Sequence, residues 1–262
     1  MTVETYVERA RGRVDDERTA TENKRAAYRR FVASVKETPT DSPVGRGGGP
    51  TAIGSVAAAS STGSSGCDRV RERFADTVAG HRTVDSDPAD GLLETVAAEL
   101  SEGIAVALAP ANGAASLTDG LKQRVVSEAT TRQHELRVMA RALETEAESL
   151  AAADEALGDV IEWLVEANET PLTDCDFDAL AERHDRLATH RERCRTVARD
   201  RQGVLRTTTS IDATIGLAQR ELTGGLYEGF SVNYPVLSTA VRLDGLCADC
   251  QDVVRDHLVR RV

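Results

Sequence analysis

The stretch LRVMARALETEAESLAAADEALGDVIEWL, residues 136–164, sets leucine at positions 136, 143, 150, 157 and 164. A seven-residue apolar spacing held without a miss is the period of a helix that buries one seam against a neighbour. Ala140, Ala147, Asp154 and Ile161 read as the companion positions of the Leu136–Leu164 seam. Helix breakers gather at 168–174, with Pro171 among them, and a second helical series resumes at Phe177, Leu180, Leu187, Cys194, Val197, Val204 and Ile211. Between Arg141 and Glu169 there are nine acids and one base, whereas residues 183–206 carry eight arginines and three acids. If the chain folds back at 168–176, Leu157 comes near His184 and Leu150 near Arg191, and the acidic stretch lies along the basic one. Each exposed pair contributes only about 0.2–1 kcal/mol, but the pattern sets orientation. The reading is therefore all-α: an elongated helical bundle around an antiparallel coiled-coil hairpin at 115–215. A parallel leucine-zipper dimer through the same seam is the alternative.

Working outward, residues 1–37 form an N-terminal helix, with Val7, Val14, Tyr28 and Val35 on a stripe that Glu17, Thr21 and Lys24 interrupt. Residues 38–66 carry Pro39, Pro43, Pro50 and a run of glycines at 45–49, a composition that cannot bury enough apolar surface to offset its ordering entropy. A disordered loop is the expectation there. Short helices follow in 67–110, the second with the stripe Leu93, Val96, Leu100, Ile104 and Leu108 running to Pro110. After a Gly-rich turn at 224–229, a C-terminal helix within 226–262 carries Leu243, Cys247, Cys250, Val254 and Leu258. The whole, 1–262, is read as a single helical domain.

The chain has 262 residues and a formal net charge of −11, from 43 acids against 32 bases, and only Lys24, Lys36 and Lys122 of those bases are lysine. Such an acidic balance disfavours a nucleic-acid coat, and no segment approaches the ~20 apolar residues of a membrane span. Glu4, Glu8 and Arg9 stand where an export signal would need an apolar run, so a cytoplasmic location is expected. Few lysines, few aromatics and many acids also suit a salt-rich cytoplasm, where screening makes a large negative surplus tolerable. A GC-rich coding bias would push composition the same way.

Motifs that carry chemistry are sparse. Cys247-Ala-Asp-Cys250 has the spacing of half a zinc site or a dithiol pair, and His190 with Cys194, one turn apart, would be the other half. Small thiols on an apolar helix stripe also behave simply as hydrophobes, and packing is the leading reading. The glycines at 45–49 lack the lysine of a phosphate loop. The five histidines are scattered and no Gly-x-Ser-x-Gly elbow occurs. Arg191, Arg195 and Arg199 form the one stripe fit for nucleic acid, without aromatics for base stacking. No catalytic, cofactor-binding or metal site is assigned.

Several phrases taken together, Asp15-Asp16-Glu17-Arg18, Tyr28-Arg29-Arg30-Phe31, Phe-Asp-Ala-Leu-Ala-Glu-Arg-His at 177–184, and Tyr-Pro-Val-Leu at 234–237, carry a resemblance. In their order and spacing they resemble a family of uncharacterised haloarchaeal proteins, helical and coiled-coil-like, over most of the chain. The resemblance implies lineage and helical class, and supplies no catalytic residue. The expected function is a non-enzymatic coiled-coil scaffold or adaptor that binds another protein or itself, without membrane, nucleic acid, cofactor or small-molecule substrate. A thiol- or zinc-responsive regulator using Cys247 and Cys250 is the alternative, and a nucleic-acid-associated regulator the next.

Overall fold

The computed structural model describes residues 5–41, 65–81, 91–110, 116–210 and 216–261. Most of the 38–66 segment, read above as a disordered loop, lies outside them. The fold is all-α. Eight helices occur among the described residues: α1 (Tyr6–Glu37), α2 (Gly66–Thr77), α3 (Leu92–Glu99), α4 (Glu102–Leu108), α5 (Asp119–Asn168), α6 (Phe177–Leu205), α7 (Gln219–Leu226) and α8 (Pro235–Val259). No helix among these residues is long and apolar enough to cross a membrane.

Local chemistry explains the ends. Ser65 and Asp68 form a reciprocal capping box that starts α2, Asp176 accepts a hydrogen bond from the Ala179 N–H at 2.8 Å to start α6, and Pro235 occupies the first turn of α8. The stripe expected to run unbroken to Pro110 is split into α3 and α4. Ser101 caps the second piece, its hydroxyl accepting from the Ile104 N–H, so the apolar spacing continues across a break in the helix. The second arm of the hairpin also ends earlier than 215. After Leu205 the β-branched run Thr207–Thr209 leaves the helix, and β1 (Thr208–Ser210) pairs antiparallel with β2 (Gly216–Ala218), Thr209 opposite Leu217. This two-stranded ribbon is an addition to the otherwise helical fold. The segment 226–262 likewise divides, its helix α8 beginning only at Pro235, with Gly229 in the left-handed region (φ 87°) on the way.

The chain divides into two compact units, residues 20–137 and residues 1–19 with 138–262. The division falls on α1 just where Glu17, Thr21 and Lys24 interrupt its apolar stripe. In the 20–137 unit, Tyr28, Phe31 and Val35 of α1 pack with Phe74, Ile104, Leu108, Leu117 and Val125, and the Phe31 and Phe74 rings meet edge-on at 5.4 Å. Asp41 links the start of α2 to the chain entering α5: its carboxylate accepts from the backbone N–H groups of Leu117 (2.7 Å) and Gly66 (3.2 Å). Gly66 has no side chain for a reason, since a Cβ there would lie 2.5 Å from that of Leu117.

In the other unit Leu143, Leu150 and Leu157 are buried with Leu180, Leu187, Leu243 and Val254. Of the companion positions Ala147 and Ile161 pack half-buried against this core, and the buried second line is Glu146, Ala153 and Val160. Neighbours on two sides of α5 widen its buried stripe, and the charged residue inside is Glu146, while Asp154 stays on the flank and pairs with Arg11 of α1. The α5–α6 pairs run antiparallel, Trp163 against His190, Asp159 with Arg193 at 2.6 Å, and Glu146 with Arg201. This register is displaced from the Leu157–His184 and Leu150–Arg191 juxtaposition that surface charge suggests. Most of the charge is shared out elsewhere: Glu144 of α5 pairs with Arg18 of α1, and Arg191 and Arg195 of α6 with Asp244 of α8.

Candidate protein-binding groove

Helix α8 carries apolar residues on two faces. Leu243, Cys247 and Val254 point inward and are buried. Leu246, Cys250 and Val253, spaced four and three apart, form a second stripe on an adjoining face, and Leu246 and Val253 are 49% and 51% exposed. Beside this stripe run the end of α5, where Val165 is 61% exposed, and the start of α6 at Arg183 and Leu187. Together they enclose a cavity of about 630 Å³, whose charged lining residues are Arg183 and Asp249.

The wall formed by the α5–α6 turn is held by arginines. Arg183 donates to the Thr170 carbonyl at 3.0 Å, and Arg261, just beyond α8, donates to the carbonyls of Leu172, Thr173 and Cys175. These bonds satisfy turn carbonyls that no helix partner reaches. The groove is thus fixed at its closed end, while its lips are apolar and open to water.

The sequence-picked cysteines lie along one wall and in the core behind it. Cys194 and Cys247 are buried, and Cys250 is half-buried in the groove. Burial, reinforced by neighbouring Cys194, Cys250 and Asp244, pushes the Cys247 thiol up to about 12. Burial likewise raises Cys194 and Cys250. Such thiols are poor nucleophiles and poor metal ligands at neutral pH, since both roles need the thiolate. Among the described residues, no group of three or more His, Cys, Asp or Glu stands where it would hold a metal ion. His190 does not complete a site with Cys194. Its ring lies 4.7 Å from that of Trp163 with both nitrogens buried and unpartnered, and burial, then Arg186 and Arg193, lowers its pKa. Native protein is therefore expected to leave Cys247 unlabelled by a maleimide at pH 7, with Cys250 modified first. Mass mapping of the adducts checks this, and labelling of Cys247 at the rate of an unfolded thiol would contradict its burial.

The arginine stripe is spoken for. Arg191 bonds Asp244 and donates to the Gln251 side chain at 3.0 Å, Arg195 reaches Asp244, and Arg199 pairs with Glu192 on its own helix. Two carboxylates not apparent from sequence are buried with their own partners. Glu146 receives both arms of Arg201 (2.7 and 2.9 Å), the Tyr227 hydroxyl (2.5 Å) and the Gln219 amide (3.0 Å). Glu99, in the 20–137 unit, receives Lys24 Nζ (2.6 Å) and the Tyr28 hydroxyl (2.7 Å), with Arg132 at 3.5 Å. Burial, followed by the adjacent carboxylate, keeps both phenols protonated far into the alkaline range. Both carboxylates are thus committed to partners inside their own units.

The fold and site define an α-helical protein with an open apolar groove. Residues 5–251 match the profile of a domain of unknown function, DUF7260, and the chain belongs to that family. No curated protein and no solved structure matches it.

Proposed function

We propose that the chain is a non-enzymatic helical scaffold or adaptor that holds another protein, working in the high-salt cytoplasm of a haloarchaeon. The observation that carries this reading is the groove between α5, α6 and α8. Its lips are formed by Val165, Leu246 and Val253, three apolar side chains each about half or more exposed. Exposed apolar residues clustered around a concave surface, rather than scattered singly, are the mark of a binding surface. The thiol-based alternative is supported less well, because burial holds the CxxC sulfurs in their protonated form.

The test is a comparison of wild type with Leu246→Glu/Val253→Glu. Both side chains face water, so helicity and melting temperature are expected to stay within the small range of surface substitutions, about ±0.5 kcal/mol each. Purified from its own cells under native salt, the wild type should bring down a stoichiometric protein that the double variant loses. Recovery of the same partners by both would place binding elsewhere and remove the groove from the function.

A further inference from the structure

The geometry points to a cationic amphipathic helix as the occupant of the groove, an inference that rests on the adaptor reading above. The chemistry of the rim carries it. Near the end of α5, Glu162 and Glu166 on the helix and Glu169 just beyond it lie beside Val165. On α8, Asp249, Asp252 and Asp256 flank Val253. All six are exposed. Asp252 is answered by Arg255 within its own helix at 3.0 Å, and the other five make no ion pair among the described residues. The cations at the closed end are already committed, Arg183 to the Thr170 carbonyl and Arg261 to the turn carbonyls. An apolar trough between two acidic edges therefore has five of its six rim acids without an ion pair among the described residues.

Shape selects a helix. Leu246, Cys250 and Val253 on α8, and Ile161, Leu164, Val165 and Asn168 on α5, present ridges at i, i+3, i+4 and i+7 into which a third helix packs. The matching partner has apolar residues at the same spacing and arginine or lysine on both flanks. Charge then contributes orientation, on-rate and exclusion of acidic helices rather than most of the affinity.

The probe is a lactam-bridged synthetic helix of about fourteen residues, roughly four turns, with leucine at i, i+4, i+7 and i+11 and arginine on the flanks. Its counterpart has every arginine replaced by glutamate. Fluorescence anisotropy with the full chain is expected to show 1:1 binding of the arginine peptide, about tenfold or more tighter than the glutamate peptide. Leu246→Glu/Val253→Glu should weaken it at least about tenfold although the variant adds negative charge, which separates groove binding from surface adhesion. Glu162→Gln/Glu166→Gln/Glu169→Gln, three exposed changes, should weaken the arginine peptide several-fold and, by removing like-charge repulsion, tighten the glutamate peptide. Equal binding of the arginine peptide to wild type and to the groove variant would overturn the inference. Equal binding of both peptides to wild type, lost together in the groove variant, would overturn the charge selection while leaving the adaptor groove standing. No binding, with a doubled solution mass that the groove variant halves, would make the occupant a second copy and overturn the inference. No binding by a monomeric chain would bring down both readings.

Discussion

Glu146→Ala is expected to destabilise the unit built on α5–α8 by about 3–5 kcal/mol, the range for removing one partner of a buried ion pair. Glu146 is fully buried and Arg201 is 3% exposed. Truncating the carboxylate strands a guanidinium that cannot move to water, and deprives the Tyr227 hydroxyl and one arm of Gln219 of their acceptor. Gln219 keeps only the Ala142 carbonyl at 3.2 Å, and its own carbonyl oxygen is already buried without a partner. The loss should be global to the unit because the network joins α5, α6 and α7.

The companion substitution Glu146→Leu/Arg201→Met/Tyr227→Phe separates charge from packing. Replacing a buried pair by apolar groups of similar volume is often neutral or stabilising, so most of the lost stability should return. Denaturant unfolding followed by hydrogen exchange over 177–205 and 219–261 reads both variants. If Glu146→Ala cost less than about 1 kcal/mol, water would have to reach Arg201, against its burial. If the triple variant were as unstable as the single one, the network would be holding shape that leucine and methionine cannot reproduce.

This network marks where the sequence could be read and where it could not. Leu143, Leu150 and Leu157 are buried where their seven-residue spacing puts them, because a helix period is a local property. So are Val7 and Val14, and the acid-rich and arginine-rich helices pair antiparallel where Asp159 meets Arg193. Glu146 escapes such reading. On the page it is one of nine acids in its stretch, and only the arrival of Arg201, Gln219 and Tyr227 from 55 or more positions away makes it interior. The two-unit division was present as the interruption at Glu17, Thr21 and Lys24, but its meaning depends on Glu99, which neutralises Lys24 from 75 residues on. The groove has a signal in the sequence: Leu246 and Val253 lie outside the Leu243–Leu258 stripe yet are a heptad apart on α8. A second apolar stripe on a helix that already has one marks a second packing face. The CxxC spacing carries no such information, because the burial of its thiols is set by distant neighbours.

Glu99→Gln is expected to lower the stability of the 20–137 unit by about 3 kcal/mol, the low end of the range for a broken buried pair. Lys24 is the stranded charge, with a side chain only 6% exposed, whereas Arg132 is 36% exposed and keeps Glu135 at 2.6 Å. The variant also has a pH signature. Burial alone would raise the Glu99 carboxyl, but hydrogen bonds from Lys24 and Tyr28, with the charges of Lys24 and Arg132, outweigh it and hold the group below the ordinary carboxylate value. A carboxyl whose folded pKa is depressed contributes stability that is fully present above the unfolded value, about 4.3, and is lost as pH falls through the lower folded value. Wild type should therefore lose stability in this unit on acidification below about pH 4.3, and Glu99→Gln, having nothing to protonate there, should lose less. Lys24→Met added to Glu99→Gln removes the stranded ammonium and should restore part of the neutral-pH stability without restoring the acid dependence. Melting monitored by hydrogen exchange in α3 and α4 from neutral pH to about pH 3 reads all three chains. An unchanged acid slope in Glu99→Gln would mean that other carboxylates carry the acid sensitivity of this unit, and that Lys24 draws its compensation from solvent rather than from Glu99.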